Sequence, residues 1–195
     1  MESKEKNTKE KILEEALKLF AQSGYMGTSM NDIASKLGVT KAALYKHYKS
    51  KQEILDSIIE KMNELDIERV KLYEMPEGDL EKVTAEYKET AFDKIKQFTK
   101  VQFLHWTEEE FSSCFRKMMT LEQYREPQMA QLYQNYLASG PLAYMEALFS
   151  GMLGDAEKAR QTALDFYGPI FLLYSIYDGA EDKSHVIKLL EEHMD

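Results

Sequence analysis

An all-α protein is what the punctuation and periodicity of this chain predict. Glycine (9) and proline (4) are scarce among 195 residues, too few for the turns of an all-β sandwich or barrel of that size. Apolar residues recur at i, i+3, i+4 and i+7, which places them on one face of a helix. Capping boxes and glycine stops bracket these runs. With 44% hydrophobic and 30% charged residues, the composition fits a globular chain and excludes collagen-like and disordered classes.

The first helix is predicted over residues 8–23. Ile12, Ala16 and Phe20, flanked by Leu13 and Leu17, form its stripe, Asn7 to Glu10 caps its start, and Gly24 suits its C′ position. A short second helix carries Met30, Ile33, Ala34 and Leu37 between the Ser29–Asp32 capping box and Gly38. A third short helix, residues 41–47, is expected to turn Val39 and Leu44 inward, with Tyr48 beside them in the core. Ser50 to Glu53 is another capping box, opening a long helix with Ile54, Leu55, Ile58, Ile59, Met62 and Leu65. Beyond the break at residues 76–79, helices are predicted over 80–104, 108–121, 127–152, 155–177 and 182–193. Thr107 is expected as an N-cap, with Glu108, Glu109 and Glu110 in a first turn where the helix dipole favours acids. That accounts for the three glutamates without a metal ion.

Several function classes are excluded or disfavoured. A single cysteine, Cys114, cannot form a disulfide framework, and the residues after Met1 are charged, not an apolar leader, so a cytoplasmic protein is expected. The apolar run from Phe166 to Tyr177 is too short to cross a membrane. There is no HExxH, CxxC, P-loop or glycine-rich dinucleotide loop, and His47, His105, His185 and His193 have no ligand spacing. No enzyme activity, cofactor or metal is expected.

Charge is unevenly spread. The net charge is −9, yet residues 1–51 carry +4 and residues 52–195 carry −13. Between residues 40 and 51 stand Lys41, Lys46, Lys49 and Lys51 with no acid. A basic head on an acidic body can bind a polyanion, although charge alone describes a solvated lysine face at least as well. The pattern of elements adds to this. Two short helices joined by a glycine turn, the second basic, describe a helix-turn-helix. Its outward residues would be Thr40, Lys41, Ala42, Ala43 and Lys46, reaching the floor of the major groove. Lys41 can donate to guanine O6/N7, and the alanine methyls can touch a thymine methyl. Tyr45, His47 and Lys51 would flank the groove as phosphate donors, with Lys51 at the anion-attracting start of the next helix. Thr28 and Ser29 occupy the corresponding place before the preceding helix.

Phe20 to Tyr25, Thr28 to Ala34 and Leu37 to Lys51 resemble, in order and spacing, the DNA-binding head of the TetR family of bacterial transcription regulators. The resemblance covers about residues 8–58. It departs from the usual pattern at Ala42, often Gly or Pro in the family, and at Tyr48, often Phe. It implies an all-helical homodimer that binds a palindromic double-stranded operator, usually as a repressor released by a small-molecule effector. Residue by residue, it implies DNA contacts at Thr28, Thr40, Lys41, Ala42, Ala43, Tyr45, His47 and Lys51. The domains expected are a helix-turn-helix head, residues 1–52, and a larger helical ligand-binding and dimerisation domain, residues 53–195.

The larger part resembles the family only in helical layout. A helix apolar all round is buried on every side, and the resemblance implies that the last two helices make a four-helix bundle across a two-fold axis. Ile170, Leu173, Tyr174, Tyr177, Val186, Leu189 and Leu190 are the expected dimer contacts. Tyr73, Phe103, Trp106, Phe115, Met118, Met119, Tyr136, Tyr144, Tyr167 and Phe171 are candidates for an effector cavity, though such residues equally fill a core. With no Arg or Lys amid the apolar runs, an apolar or cationic effector is favoured. The competing reading is a helical ligand-binding or protein-interaction module whose head does not read DNA.

Overall fold

A computed structural model describes residues 2–195, with side chains described from Asn7 onward. Its elements are α1 (Glu2–Ser23), α2 (Met30–Lys36), α3 (Lys41–His47), α4 (Lys51–Leu72), α5 (Leu80–Glu89), α6 (Phe92–Thr107), α7 (Glu110–Glu122), α8 (Pro127–Leu137), α9 (Ser139–Leu153), α10 (Ala156–Gly179) and α11 (Lys183–His193). No strand occurs among the described residues, so the fold class is all-α as predicted. The chain divides into two compact units. One holds the chain up to Glu68 together with Glu110–Gln131; the other holds Arg69–Glu109 and Leu132–Asp195.

In the first unit the stripe of α1 packs on α2 and α7. Ala16, Leu17, Phe20, Ile33, Leu44, Ile54, Leu55, Ile58 and Met62 are at most 3% exposed, and so are Phe115, Met118 and Met119 of α7. Apart from Ala16, each such side chain contributes roughly 1.5–3 kcal/mol through burial, before conformational entropy is counted. Tyr25 meets Phe20 edge-on at 5.2 Å. Lys18 of α1 pairs with Glu110 at the start of α7 at 3.0 Å.

In the second unit α10 packs on α9, α6 and α11. Phe103 stacks on Tyr174 at 5.2 Å and meets Tyr177 edge-on at 5.7 Å. Helix α10 runs unbroken through Pro169.

The first helix starts at Glu2, not at residue 8, so Asn7 to Glu10 lie within it and do not cap it, and three further boundaries differ from the sequence expectation. The helix expected over 80–104 is two, α5 and α6, parted at Thr90 and Ala91. The Thr90 hydroxyl donates to the Glu86 carbonyl at 2.9 Å and its backbone is extended, a local competition that no Gly or Pro announces. The helix expected over 127–152 is also two, parted at Ala138. Pro141 has no N–H to give the carbonyl of Leu137, and that carbonyl instead accepts from the Tyr167 hydroxyl at 2.9 Å. Finally, Thr107 is the last residue of α6, not an N-cap. Its hydroxyl turns back to the Phe103 carbonyl at 2.8 Å, and α7 begins only at Glu110.

Candidate nucleic-acid interface

The first unit builds a helix pair from local chemistry. The Ser29 hydroxyl accepts from the Asp32 N–H at 3.3 Å, and the Asp32 carboxylate accepts from the Ser29 N–H at 2.8 Å, so both ends of a capping box are closed. The Ser29 hydroxyl also donates to the Asp32 carboxylate at 2.6 Å, and this bond, with the one from the Ser29 N–H, holds the Asp32 carboxyl below its ordinary range. Helix α2 stops at Gly38, which adopts φ +66, a left-handed conformation that costs a side chain about 1–2 kcal/mol. The N–H of Val39 then returns to the Ala34 carbonyl at 3.0 Å, and Thr40 caps α3 by accepting from the Ala43 N–H at 3.2 Å.

One side of α3 is buried and the other is open. Leu44 is fully enclosed and Tyr48, just past the helix, is 4% exposed, so the helix is anchored from beneath. Thr40, Lys41, Ala42 and Lys46 are exposed, while Ala43, Tyr45 and His47 are half-buried. The Lys41 ammonium lies 5.8 Å from the centre of the Tyr45 ring. Together these residues bring two ammonium groups, a phenol, an imidazole and two methyl groups to one surface with no acid within the helix.

Other expected contacts are differently placed. Val39 is 43% exposed, so it does not join Leu44 and Tyr48 as an inward anchor. Thr28 is 3% exposed and its hydroxyl donates to the Gly24 carbonyl at 2.9 Å, so that side chain is engaged within the chain. Ser29 is exposed but its hydroxyl is engaged with Asp32 at 2.6 Å. Lys51 does not point away as a free phosphate donor. Its ammonium bonds the carbonyls of Tyr25 at 2.6 Å and Thr28 at 2.8 Å and lies 4.2 Å from the Tyr25 ring centre. Burial there lowers its pKa, opposed by the nearby charge of Glu122.

The cavity candidates fall in both units. Phe115, Met118 and Met119 belong to the core of the first. In the second, Trp106 meets Tyr136 edge-on at 6.1 Å, Tyr167 meets Phe171 at 6.3 Å, and Tyr73 meets Phe98 at 6.0 Å. Tyr144 is exposed. The expected dimer residues mostly face inward. Ile170, Leu173, Tyr174, Tyr177, Val186 and Leu190 are buried within this chain and Leu189 is half-buried. Leu164, Phe171, Leu172 and Ile176 are instead exposed on α10. Sequence reasoning also missed two buried arginines, Arg69 and Arg116, 7% and 4% exposed. No apolar run contains them, and only the fold reveals their burial.

Among the described residues no cluster of His, Cys, Asp and Glu is arranged to hold a metal ion, and no helix is long and apolar enough to cross a membrane.

Comparison with known proteins adds to this geometry. Residues 12–58 match the model of the bacterial regulatory proteins, tetR family. The chain is 42% identical over 52 residues to the biofilm operon icaADBC HTH-type negative transcriptional regulator IcaR of Staphylococcus epidermidis, a match covering 27% of this chain and 28% of that protein. It is 41% identical over 51 residues to IcaR of Staphylococcus aureus strain Newman, again spanning only 27% of the relative's length. Over nearly the full length it shares its fold with a transcriptional regulator (TerR/AcrR family) from Aquifex aeolicus, with a TM-score of 0.65, 22% identity and coverage of 95% of this chain and 96% of the other. The TetR family transcriptional regulator PfmR from Thermus thermophilus gives a TM-score of 0.55 at 22% identity, covering 94% and 96%.

Proposed function

We propose that this chain is a member of the TetR family of bacterial transcription regulators, an effector-responsive repressor that binds a palindromic operator as a homodimer. The family's regulators are not enzymes, and the helix pair is the element that would meet DNA. The observation that carries the reading is the construction of α3: Leu44 buried beneath, and Thr40, Lys41, Ala42 and Lys46 exposed above. Repression is favoured because the relatives that match the head are named negative regulators. In this reading residues 1–52 bind DNA and residues 53–195 hold the effector and the dimer contacts.

Thr40, Lys41, Ala42 and Ala43 would read base edges, with Tyr45, Lys46 and His47 on the flanks. Ser29 would meet phosphate through its backbone end of α2, and Lys51 would hold the turn instead of contacting phosphate. The exposed stripe Leu164, Phe171, Leu172 and Ile176 supports a second copy packed against α10, since large apolar side chains at helical spacing gain by leaving water. An effector acts only through its differential affinity for the DNA-competent and DNA-incompetent states.

Selection of bound sequences from random duplex by the purified chain tests this. Enrichment of a palindrome with half-sites one helical turn apart, about 34–36 Å or a multiple of it, is expected. Weak, salt-labile binding without an enriched sequence would favour the module that does not read DNA.

A further inference from the structure

Two opposite charges bear on the turn from α1 into α2. Glu122, the last residue of α7, is fully buried, and neither of its carboxylate oxygens has a hydrogen-bond partner among the described residues. Its Oε1 lies so close to Gly24 that a methyl there would fall 1.9 Å from it. Lys51, the first residue of α4, is half-buried, and its ammonium bonds the carbonyls of Tyr25 at 2.6 Å and Thr28 at 2.8 Å. Its neighbour Gln52 accepts from the Tyr25 hydroxyl at 3.0 Å.

Neither charge is satisfied by its own contacts. A buried carboxylate without a donor carries the full cost of leaving water. Arg125 stands 3.8 Å from Glu122 Oε1, but its side chain is 67% exposed, where water screens the attraction. The two carbonyls orient the Lys51 ammonium without neutralising it. Burial lowers the Lys51 pKa, and the charge of Glu122 opposes that. Carboxylate and ammonium thus compensate each other through the turn. Removing one strands the other in a desolvated place, whereas removing both removes the conflict.

We propose that Glu122 and Lys51 act as one positioning pair, which fixes the turn and through it the presentation of α3 to DNA. Thr28, whose carbonyl the ammonium holds, directly precedes Ser29, the N-cap of α2, and α2 packs on α3. The place of that carbonyl therefore sets where the helix pair begins. The pair touches no base or phosphate. Its effect on operator binding rests on the DNA-binding reading; its hold on the turn does not.

A double-mutant cycle on the full chain tests both parts, with Glu122→Gln, Lys51→Met and the double variant. Amide exchange through residues 25–29 is read first, without DNA. Each single variant should speed exchange there at least about tenfold, and the double variant no more than either one, whereas independent residues would multiply. If a single variant does not fold, the double should regain the helical circular dichroism of the wild type, and a double that stays unfolded contradicts the pair. Affinity is then measured for the operator found by selection and for random duplex at the same salt. Each single variant should lose at least about fivefold on the operator and keep its affinity for random duplex. Multiplying exchange effects, unchanged exchange in either single variant, unchanged operator affinity, or equal losses on operator and random duplex would overturn the proposal. If selection finds no operator, the DNA-binding reading fails while the exchange cycle still decides the pair. If an operator is found and the exchange effects multiply, the pair fails and that reading stands.

Discussion

The Glu122 carboxylate rests against the α-carbon of Gly24: a methyl group on that glycine would fall 1.9 Å from Glu122 Oε1. Glu122 is fully buried, its oxygens have no hydrogen-bond partner among the described residues, and Arg125 is 3.8 Å away. Its charge also acts on Lys51, whose ammonium holds the carbonyls of Tyr25 and Thr28. The end of α7 and the start of α4 therefore grip the same turn, the one that leads from α1 into α2.

Gly24 and Gly38 separate two costs of replacing a glycine. Both have positive φ, +80 and +66, but only Gly24 is crowded; nothing lies within 4 Å of a methyl at Gly38. Gly38→Ala should lose about 1–2 kcal/mol of stability, from backbone strain alone. Gly24→Ala adds overpacking of about 1–3 kcal/mol, because the Glu122 chain that must move is enclosed on every side. Urea unfolding of the two variants should show that difference, and equal losses would mean that the Glu122 contact yields freely.

Lys46 and Lys51 are both lysines of the basic head, yet they should behave differently on DNA. Lys46 is exposed on α3, so Lys46→Ala should flatten the salt dependence of operator binding by about one ion. Lys51 is committed to two carbonyls. Lys51→Met should leave the salt slope unchanged while speeding amide exchange through residues 25–29, because the turn loses its clamp. If the slope drops by one with exchange unaltered, Lys51 is a phosphate contact after all.

The head was legible in the sequence because its instructions are local. The Ser29–Asp32 box, Gly38 and Thr40 lie within a few residues of the backbone groups they satisfy. What distant parts of the chain decide was not legible. Lys51 reads as a surface lysine until Tyr25 and Thr28, more than twenty residues away, turn their carbonyls toward it. The inward side of α10 reads from the sequence as a partner's face as readily as a core, because apolar spacing shows that a face is buried, not what buries it. Arg69 meets His105 across 36 residues, a pairing without any periodic signal.

His105 gives the stability a pH dependence whose sign follows from its burial. Its pKa in the folded chain is held to about 4, against an ordinary value of 6.5. Between those values the unfolded chain binds the extra proton, so stability is complete above about pH 6.5 and falls as pH drops toward 4. His105→Gln removes that proton uptake. Between pH 6.5 and 5, where most carboxylates remain ionised, the wild type should lose stability more steeply than the variant in thermal unfolding. Parallel slopes would show that His105 titrates alike in both states.

The open face of α10 makes a prediction about assembly. Leu172 is 59% exposed, with Phe171 and Ile176 beside it, and it has no role in the described core. A glutamate at this position costs a lone chain little, since surface substitutions usually change stability by under about 0.5 kcal/mol. If two copies meet through this face, the same change places a pair of carboxylates where water is excluded, and unpaired buried charges oppose association strongly. Light scattering should therefore report a dimer for the wild type and a monomer for Leu172→Glu, with the helical circular dichroism of the two alike. Operator affinity should fall with the dimer, because two half-sites bound independently lose the gain in effective concentration that linkage provides. A variant that stays dimeric would move the two-fold contact away from Leu172.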